Sequence, residues 1–130
     1  MKMLKKFPSF NFFPKTWIVP ADNNDFKKEF NSKLNKTFIV KPEAGCQGRG
    51  IFLIRRPQDI PPQESFVVQK YLAKPFLIDG LKFDLRIYVL VAGVDPLRVY
   101  MYKEGMARFA TEKYVGPNYS NLNSVRILIG

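Results

Sequence analysis

The sequence predicts an α+β fold of antiparallel sheet hairpins with few helices, and three observations carry that expectation. A single segment has helical spacing, with Phe26, Phe30 and Leu34 recurring every fourth residue beside Lys27, Lys28 and Lys33. Phe83, Leu85, Ile87, Val89 and Val91 keep the two-residue period of a strand. Between the apolar runs lie short links rich in glycine and proline, which make turns and leave no room for the helical crossovers of a parallel sheet. At 130 residues, 46% hydrophobic and 25% charged, the chain is the size of one domain and apolar enough to form a core.

Taken in order, Phe7–Pro20 is aromatic and broken by proline, so it is expected to lie extended, anchored by Phe12, Phe13 and Trp17. Asp22 and Asp25 have the spacing of an N-cap and N3 pair opening the helix. Thr37–Val40, β-branched and aromatic, is a short strand ending at the Lys41-Pro42 step. Gly45, Gly48 and Gly50 form a loop, and Ile51–Ile54 resumes as a strand, so this unit is a hairpin. Pro57–Ser65 is a surface connection and Phe66–Tyr71 a further strand; Lys74-Pro75 and Asp79-Gly80 punctuate the next link. The alternating run 83–91 is then one strand, turned at Gly93–Pro96 into Leu97–Lys103, with Glu104-Gly105 as a tight hairpin into Met106–Ala110.

Composition removes several chemistries. With no histidine, Ser-His-Asp and Cys-His catalysis and His-ligated metals are excluded, and one cysteine, Cys46, excludes an internal disulfide and a Cys-rich zinc site. Cys46 lies near Lys41 and Arg49 but has no evident base, which fits a small loop residue better than a nucleophile. The net charge is +10, with nine basic against three acidic residues in 1–41 and twelve against eight in 42–130. Such a field attracts polyanions: nucleotides, nucleic acid, anionic lipid or acidic protein tails. The longest apolar run, Ile87–Val94, is far short of the ~20 residues of a membrane span, and Met1–Lys6 leads into a poor export segment. The expected location is therefore cytoplasmic, with no membrane partner.

Four segments can carry chemistry. Lys41 at a strand end, followed by the glycine loop 45–50, suits a phosphate chain, although a purely structural hairpin fits equally well. It is neither a Walker A motif nor a Rossmann fingerprint. Lys82, Asp84 and Arg86 alternate with Phe83, Leu85 and Ile87, placing two cations and a carboxylate on one face and the apolar three on the core face; phosphate neutralisation and a solvated salt bridge are both open. Phe66–Leu72 is either a plain core strand or an edge offering backbone groups to a purine. Arg108 either salt-bridges Glu104 or Glu112 or presents its fork to a carboxylate ligand.

Taken together, these segments resemble the tubulin tyrosine ligase-like family of the ATP-grasp superfamily. The matching stretches are Phe12–Trp17, Phe38–Pro42, Gly45–Phe52, Lys74–Gly80, Lys82–Arg86, Asp95–Arg98 and Gly105–Tyr114, in the family's order and spacing; the loop Gly45–Gly50 with Phe76–Gly80 is most similar to the polyglutamylase branch. The resemblance implies a partial ATP-grasp fold and an ATP-dependent ligase that adds L-glutamate to the acidic C-terminal tails of tubulin through an acyl-phosphate. By the same resemblance, Lys41 and Lys82 contact ATP phosphates, and Gln47 and Gly48 close over them. Gln69, Lys70, Tyr71 and Leu72 form the adenine hinge, Phe83 and Asp84 continue the ATP site, and Arg108 binds the incoming glutamate. The implied setting is microtubules, in the cytoplasm, cilium or basal body.

Glu43-Ala44 stands where the family commonly has Asp-Ser. Past Val125 the family continues into a Thr-Asn-Tyr segment and then the Asp and Glu-x-Asn that ligate magnesium, none of which follows here. The expectation is therefore the N-terminal and central portion of the family domain over 1–130, with the magnesium ligands not encoded and little or no activity alone. A half-built sheet is also expected to expose an apolar edge and aggregate. The competing expectation is a non-catalytic basic module binding tubulin tails or microtubules. Nucleic-acid binding is disfavoured because the aromatics do not form a stacking array.

Overall fold

A computed structural model describes residues 12–31, 36–43, 50–62, 64–118 and 120–122. Their contacts divide the chain into two units, Met1–Lys74 with Gly116–Leu128, and Pro75–Val115 with Ile129–Gly130.

The first unit is a sheet backed by a short helix. Its strands are β1 (Thr16–Val19), β2 (Phe38–Pro42), β3 (Phe52–Ile54) and β4 (Phe66–Lys70), in the order β1-β4-β2-β3, every pairing antiparallel. The strand–glycine loop–strand reading of 37–54 is borne out as the β2–β3 hairpin. Alternation then sorts the side chains. Trp17, Val19, Phe38, Val40, Ile54, Phe66 and Val68 point to one face and are buried, together with Phe26 of α1 (Asn23–Lys28). Phe26 lies 5.4 Å from Trp17 and 5.3 Å from Phe38, the Phe38 contact edge-on, a geometry that aromatic quadrupoles favour.

Three expectations for this unit need correction. Thr16–Val19 is extended, but as a paired strand of the sheet, and of the three expected anchors only Trp17 is buried, Phe12 and Phe13 being exposed. The α-helix stops at Lys28 and tightens into a 3₁₀ turn at Glu29–Asn31; Leu34 lies outside the described residues. Asp22 does not cap the helix with its side chain, because its Oδ2 instead accepts the Ile18 N–H at 2.9 Å.

The second unit is one long antiparallel ribbon with an interruption. Strand β5 (Leu81–Arg86) pairs with β8 (Met106–Lys113), and β6 (Val89–Val94) with β7 (Leu97–Met101). The alternating run 83–91 is thus two strands that change partner at Ile87-Tyr88. Glu104-Gly105 is not a hairpin either: β7 and β8 run in the same sense, both antiparallel to β5 and β6. Between the pairs Arg86↔Met106 and Val89↔Met101, two residues on one side face four on the other, so the ribbon bulges there. Glycine is required at 105, where a Cβ would meet the Arg86 carbonyl oxygen at 2.7 Å. The entry to β5 is a tight turn, with Ile78 and Leu81 exchanging backbone hydrogen bonds of 3.2 and 2.8 Å around Asp79 (φ 53) and Gly80 (φ 77). Two successive left-handed residues make a type I′ turn, for which Asp-Gly is a preferred pair.

Alternation in this ribbon does not mean burial. Leu85 and Ile87, expected to face a core, are 62% and 55% exposed, and Leu90, Val91, Val99 and Tyr100 are exposed as well. A two-stranded ribbon has two faces and no second layer of its own to bury either of them.

Candidate functional site

Of the first unit's expected site residues, Lys41 and Gln69 occupy the sheet face opposite the aromatic core, whereas Lys70, opposite Phe38, alternates to the other face. Thr16 pairs with Gln69, Ile39 with the same Gln69, and Lys41 with Val67, so Thr16, Gln69, Ile39 and Lys41 share that outer face. Lys41 donates from Nζ to Gln69 Oε1 at 3.3 Å, and Gln69 donates from Nε2 to Thr16 Oγ1 at 2.9 Å. Strand β4 ends at Lys70, and the chain continues through Tyr71 and an exposed Leu72. Two of this segment's backbone donors are already committed: Lys70 N–H to the Lys15 carbonyl at 2.8 Å and Tyr71 N–H to the Thr37 carbonyl at 3.0 Å. Gln47 and Gly48 lie outside the described residues.

Lys82, Phe83, Asp84 and Arg108 all lie on the β5–β8 ladder of the second unit. Register slips between Leu81 and Phe83, so Lys82 sits at a bulge rather than in simple alternation with Asp84 and Arg86. Burial pushes the Lys82 ammonium below the ordinary lysine value, opposed by the Asp84 charge. Phe83 stacks on Phe109, with ring centroids 5.3 Å apart, and meets Phe76 edge-on at 6.2 Å.

Arg108 takes neither Glu104 nor Glu112 as its ion-pair partner. Directly opposite Asp84 in the register, it donates from Nε to Oδ1 at 2.8 Å and from Nη2 to Oδ2, a two-toothed fork on one carboxylate. That hydrogen bonding, then burial working against it, then the charges of Arg108, Arg86 and Lys82 leave Asp84 below the usual carboxylate range. Arg108 itself is pushed up by the same partner.

Sequence reasoning passed over Thr16 as a site residue. Its hydroxyl donates to the Pro14 carbonyl at 2.8 Å while accepting from Gln69. The signal was in the sequence, since Thr16-Trp17-Ile18-Val19 is β-branched and aromatic throughout, but the flanking prolines made it look like a surface segment.

The tubulin-tyrosine ligase family profile matches residues 1–127. This chain belongs to that family. Among relatives, it is 59% identical over 128 residues to a Tetrahymena thermophila protein named probable beta-tubulin polyglutamylase, covering 96% of this chain and 11% of the relative. It is 54% identical over 125 residues to mouse tubulin polyglutamylase TTLL6 (95% and 15% covered) and 49% identical over 129 residues to human tubulin polyglutamylase TTLL7 (95% and 14%). The chain therefore spans less than one-sixth of the length of these curated relatives. A solved structure, the C-terminal domain of Kluyveromyces lactis Pby1, an ATP-grasp enzyme interacting with the mRNA decapping enzyme Dcp2, superposes with a TM-score of 0.65 at 24% identity, covering 98% of this chain and 41% of that one. The family member described here thus has a partial ATP-grasp fold, dominated by antiparallel strands as expected.

Proposed function

We propose that this chain carries nucleotide-handling residues of an ATP-dependent tubulin polyglutamylase, acting at microtubules of the cytoplasm, cilium or basal body. The observation that supports it most is the Lys41 ammonium on the outer sheet face, hydrogen-bonded to the strand that leads into the Gln69–Leu72 segment. Lys41 and Lys82 would neutralise phosphate oxygens, and Gln47 and Gly48 would close over them. The backbone of Lys70, Tyr71 and Leu72, with Gln69 at its start, would edge the adenine, and Phe83 and Asp84 would complete the nucleotide contacts.

In the reaction, a carboxylate oxygen of the tubulin tail attacks the γ-phosphorus of ATP, releasing ADP and leaving an acyl-phosphate. The amine of L-glutamate then attacks the acyl carbon; phosphate leaves and an amide forms, with one proton released from the amine. Both steps concentrate negative charge, so cations fixed in place are the main protein contribution. Arg108 would receive the glutamate carboxylate by exchanging for it the fork it now makes onto Asp84. Among the described residues no group of three or more Asp, Glu, Cys or His is placed to hold a metal ion.

Titration calorimetry of the chain with ATP tests the reading: Lys41→Ala and Lys82→Ala are each expected to weaken binding about tenfold, near the value of one charge-assisted hydrogen bond. Indifference to ATP, combined with salt-sensitive binding to a glutamate-rich tail peptide, would replace the ligase reading with the basic tail-binding module that the +10 charge also permits.

A further inference from the structure

We infer that Thr16 and the side chain of Gln69 are positioning residues that hold the Lys41 ammonium ready for phosphate, an inference that rests on the nucleotide reading above. Three strands contribute one residue each: Thr16 from β1, Gln69 from the middle strand β4, and Lys41 from β2. The direction of each hydrogen bond is forced. A threonine hydroxyl has one proton, and Thr16 spends it on the Pro14 carbonyl at 2.8 Å. What remains at Oγ1 is acceptor capacity, which takes the Gln69 amide N–H at 2.9 Å. The other end of that amide, Oε1, is therefore turned toward Lys41, whose ammonium donates to it at 3.3 Å. A flipped amide would set Oε1 against a hydroxyl oxygen whose one proton is already committed, an acceptor–acceptor clash, and its N–H against an ammonium, a donor–donor clash.

The consequence for binding is preorganisation. A free lysine loses much of its rotamer freedom when it grips a ligand. Here one of its three N–H groups is already held, leaving two for phosphate oxygens. The holder must also be neutral: a carboxylate at 69 would form an ion pair with Lys41 and compete with phosphate for it, whereas an amide orients the ammonium without cancelling its charge. The Gln69 side chain therefore serves the phosphate end of the nucleotide and not the adenine with which the family resemblance groups it.

The test uses the 130-residue chain with Thr16→Val, which keeps the shape and removes the acceptor, and Thr16→Ser, which restores it. Trp17 fluorescence confirms that both fold. Thr16→Val is expected to weaken ATP about three- to tenfold, the scale of ordering one rotamer-rich side chain, while adenosine affinity changes less than about twofold. Thr16→Ser should return ATP binding to the starting value, Gln69→Glu should weaken ATP more than Thr16→Val does, and Thr16→Val should add nothing in a Lys41→Ala background. A ligand-free readout stands beside these. Proton exchange at the Lys41 ¹⁵Nζ ammonium, assigned with Lys41→Arg, should be slowed in the parent, speed up in Thr16→Val and slow again in Thr16→Ser.

An effect of Lys41→Ala on ATP without any effect of Thr16→Val, or equal losses of ATP and adenosine, overturns this inference and leaves the nucleotide reading standing. Lys41 exchange indifferent to Thr16→Val overturns it as well. No response of ATP binding to Lys41→Ala, or no ATP binding at all, overturns the nucleotide reading and this inference together.

Discussion

Phe38 is fully buried and touches the rings of Trp17, Phe26 and Phe30, so truncating it removes packing on the sheet and under the helix together. Phe38→Ala is expected to cost about 3–5 kcal/mol, enough to unfold much of a unit whose whole stability is of that order. The single tryptophan, Trp17, has its ring 5.8 Å from Phe38 and reports the loss directly in a urea titration of its fluorescence. At Lys82 the sign of a pH effect follows from burial. Its folded value lies below the ordinary 10.5, so between the two values the unfolded chain binds more protons and raising the pH adds stability from this group. Phosphate prefers the charged form, so ATP affinity should fall as pH rises through that lowered value, with proton uptake on binding. Lys82→Arg, charged throughout, should flatten the decline; an unchanged calorimetric pH profile would detach Lys82 from the phosphates.

At the scale of elements, ion pairs and turns set what neighbouring segments do. Glu29 accepts Lys15 Nζ at 2.7 Å and Lys36 Nζ at 3.0 Å, and so ties the segment before β1, the 3₁₀ turn and the approach to β2. Hydrogen bonds from Lys15 and then Lys36 hold its carboxyl below the ordinary 4.5. The resulting stability is present above that value and lost as pH falls through the folded value. Glu29→Gln should lower unfolding free energy by roughly 0.5–1 kcal/mol at pH 7, with parent and variant converging in acid; a difference that persists at low pH would mean a packing role instead. Gly80→Ala, at φ 77, should cost about 1 kcal/mol, read as a lower thermal midpoint of the ribbon's circular dichroism signal.

These elements also show what a sequence can and cannot disclose. The β2–β3 hairpin and the strand at 66–70 were legible because apolar alternation and glycine or proline punctuation are local. Two features depended on partners distant in sequence. One strand became β5 and β6 because β8 and β7 take its two halves, and Arg108 chose Asp84 because register sets them opposite each other. The cap reading of Asp22 failed for a related reason, since the Ile18 N–H offered its carboxylate a partner on the chain turning out of β1. In the candidate site, Lys41, Lys82 and Asp84 stood out by charge and spacing. Thr16 did not, because an uncharged residue declares itself only through its hydrogen bonds.

At the scale of the whole molecule, the two units differ in how they meet water. The first buries an aromatic core between sheet and helix; the second leaves apolar side chains exposed on both faces of its ribbon, Leu90 with Tyr100 on one and Val91 with Val99 on the other. An ordinary solvent-facing ribbon alternates polar with apolar, so double-sided exposure with open edges favours association. Light scattering across a concentration series should therefore show the chain's apparent mass rising well above the 15.1 kDa of one copy. Leu90→Lys and Val91→Lys place a charge on opposite faces, and whichever lowers the apparent mass more identifies the face that associates. Because both lie in the second unit, the urea midpoint reported by Trp17 in the first should stay where it was. If the apparent mass stays at one copy at all concentrations, the exposed ribbon tolerates water; a Trp17 midpoint that moves with either substitution would show that the two units do not unfold independently.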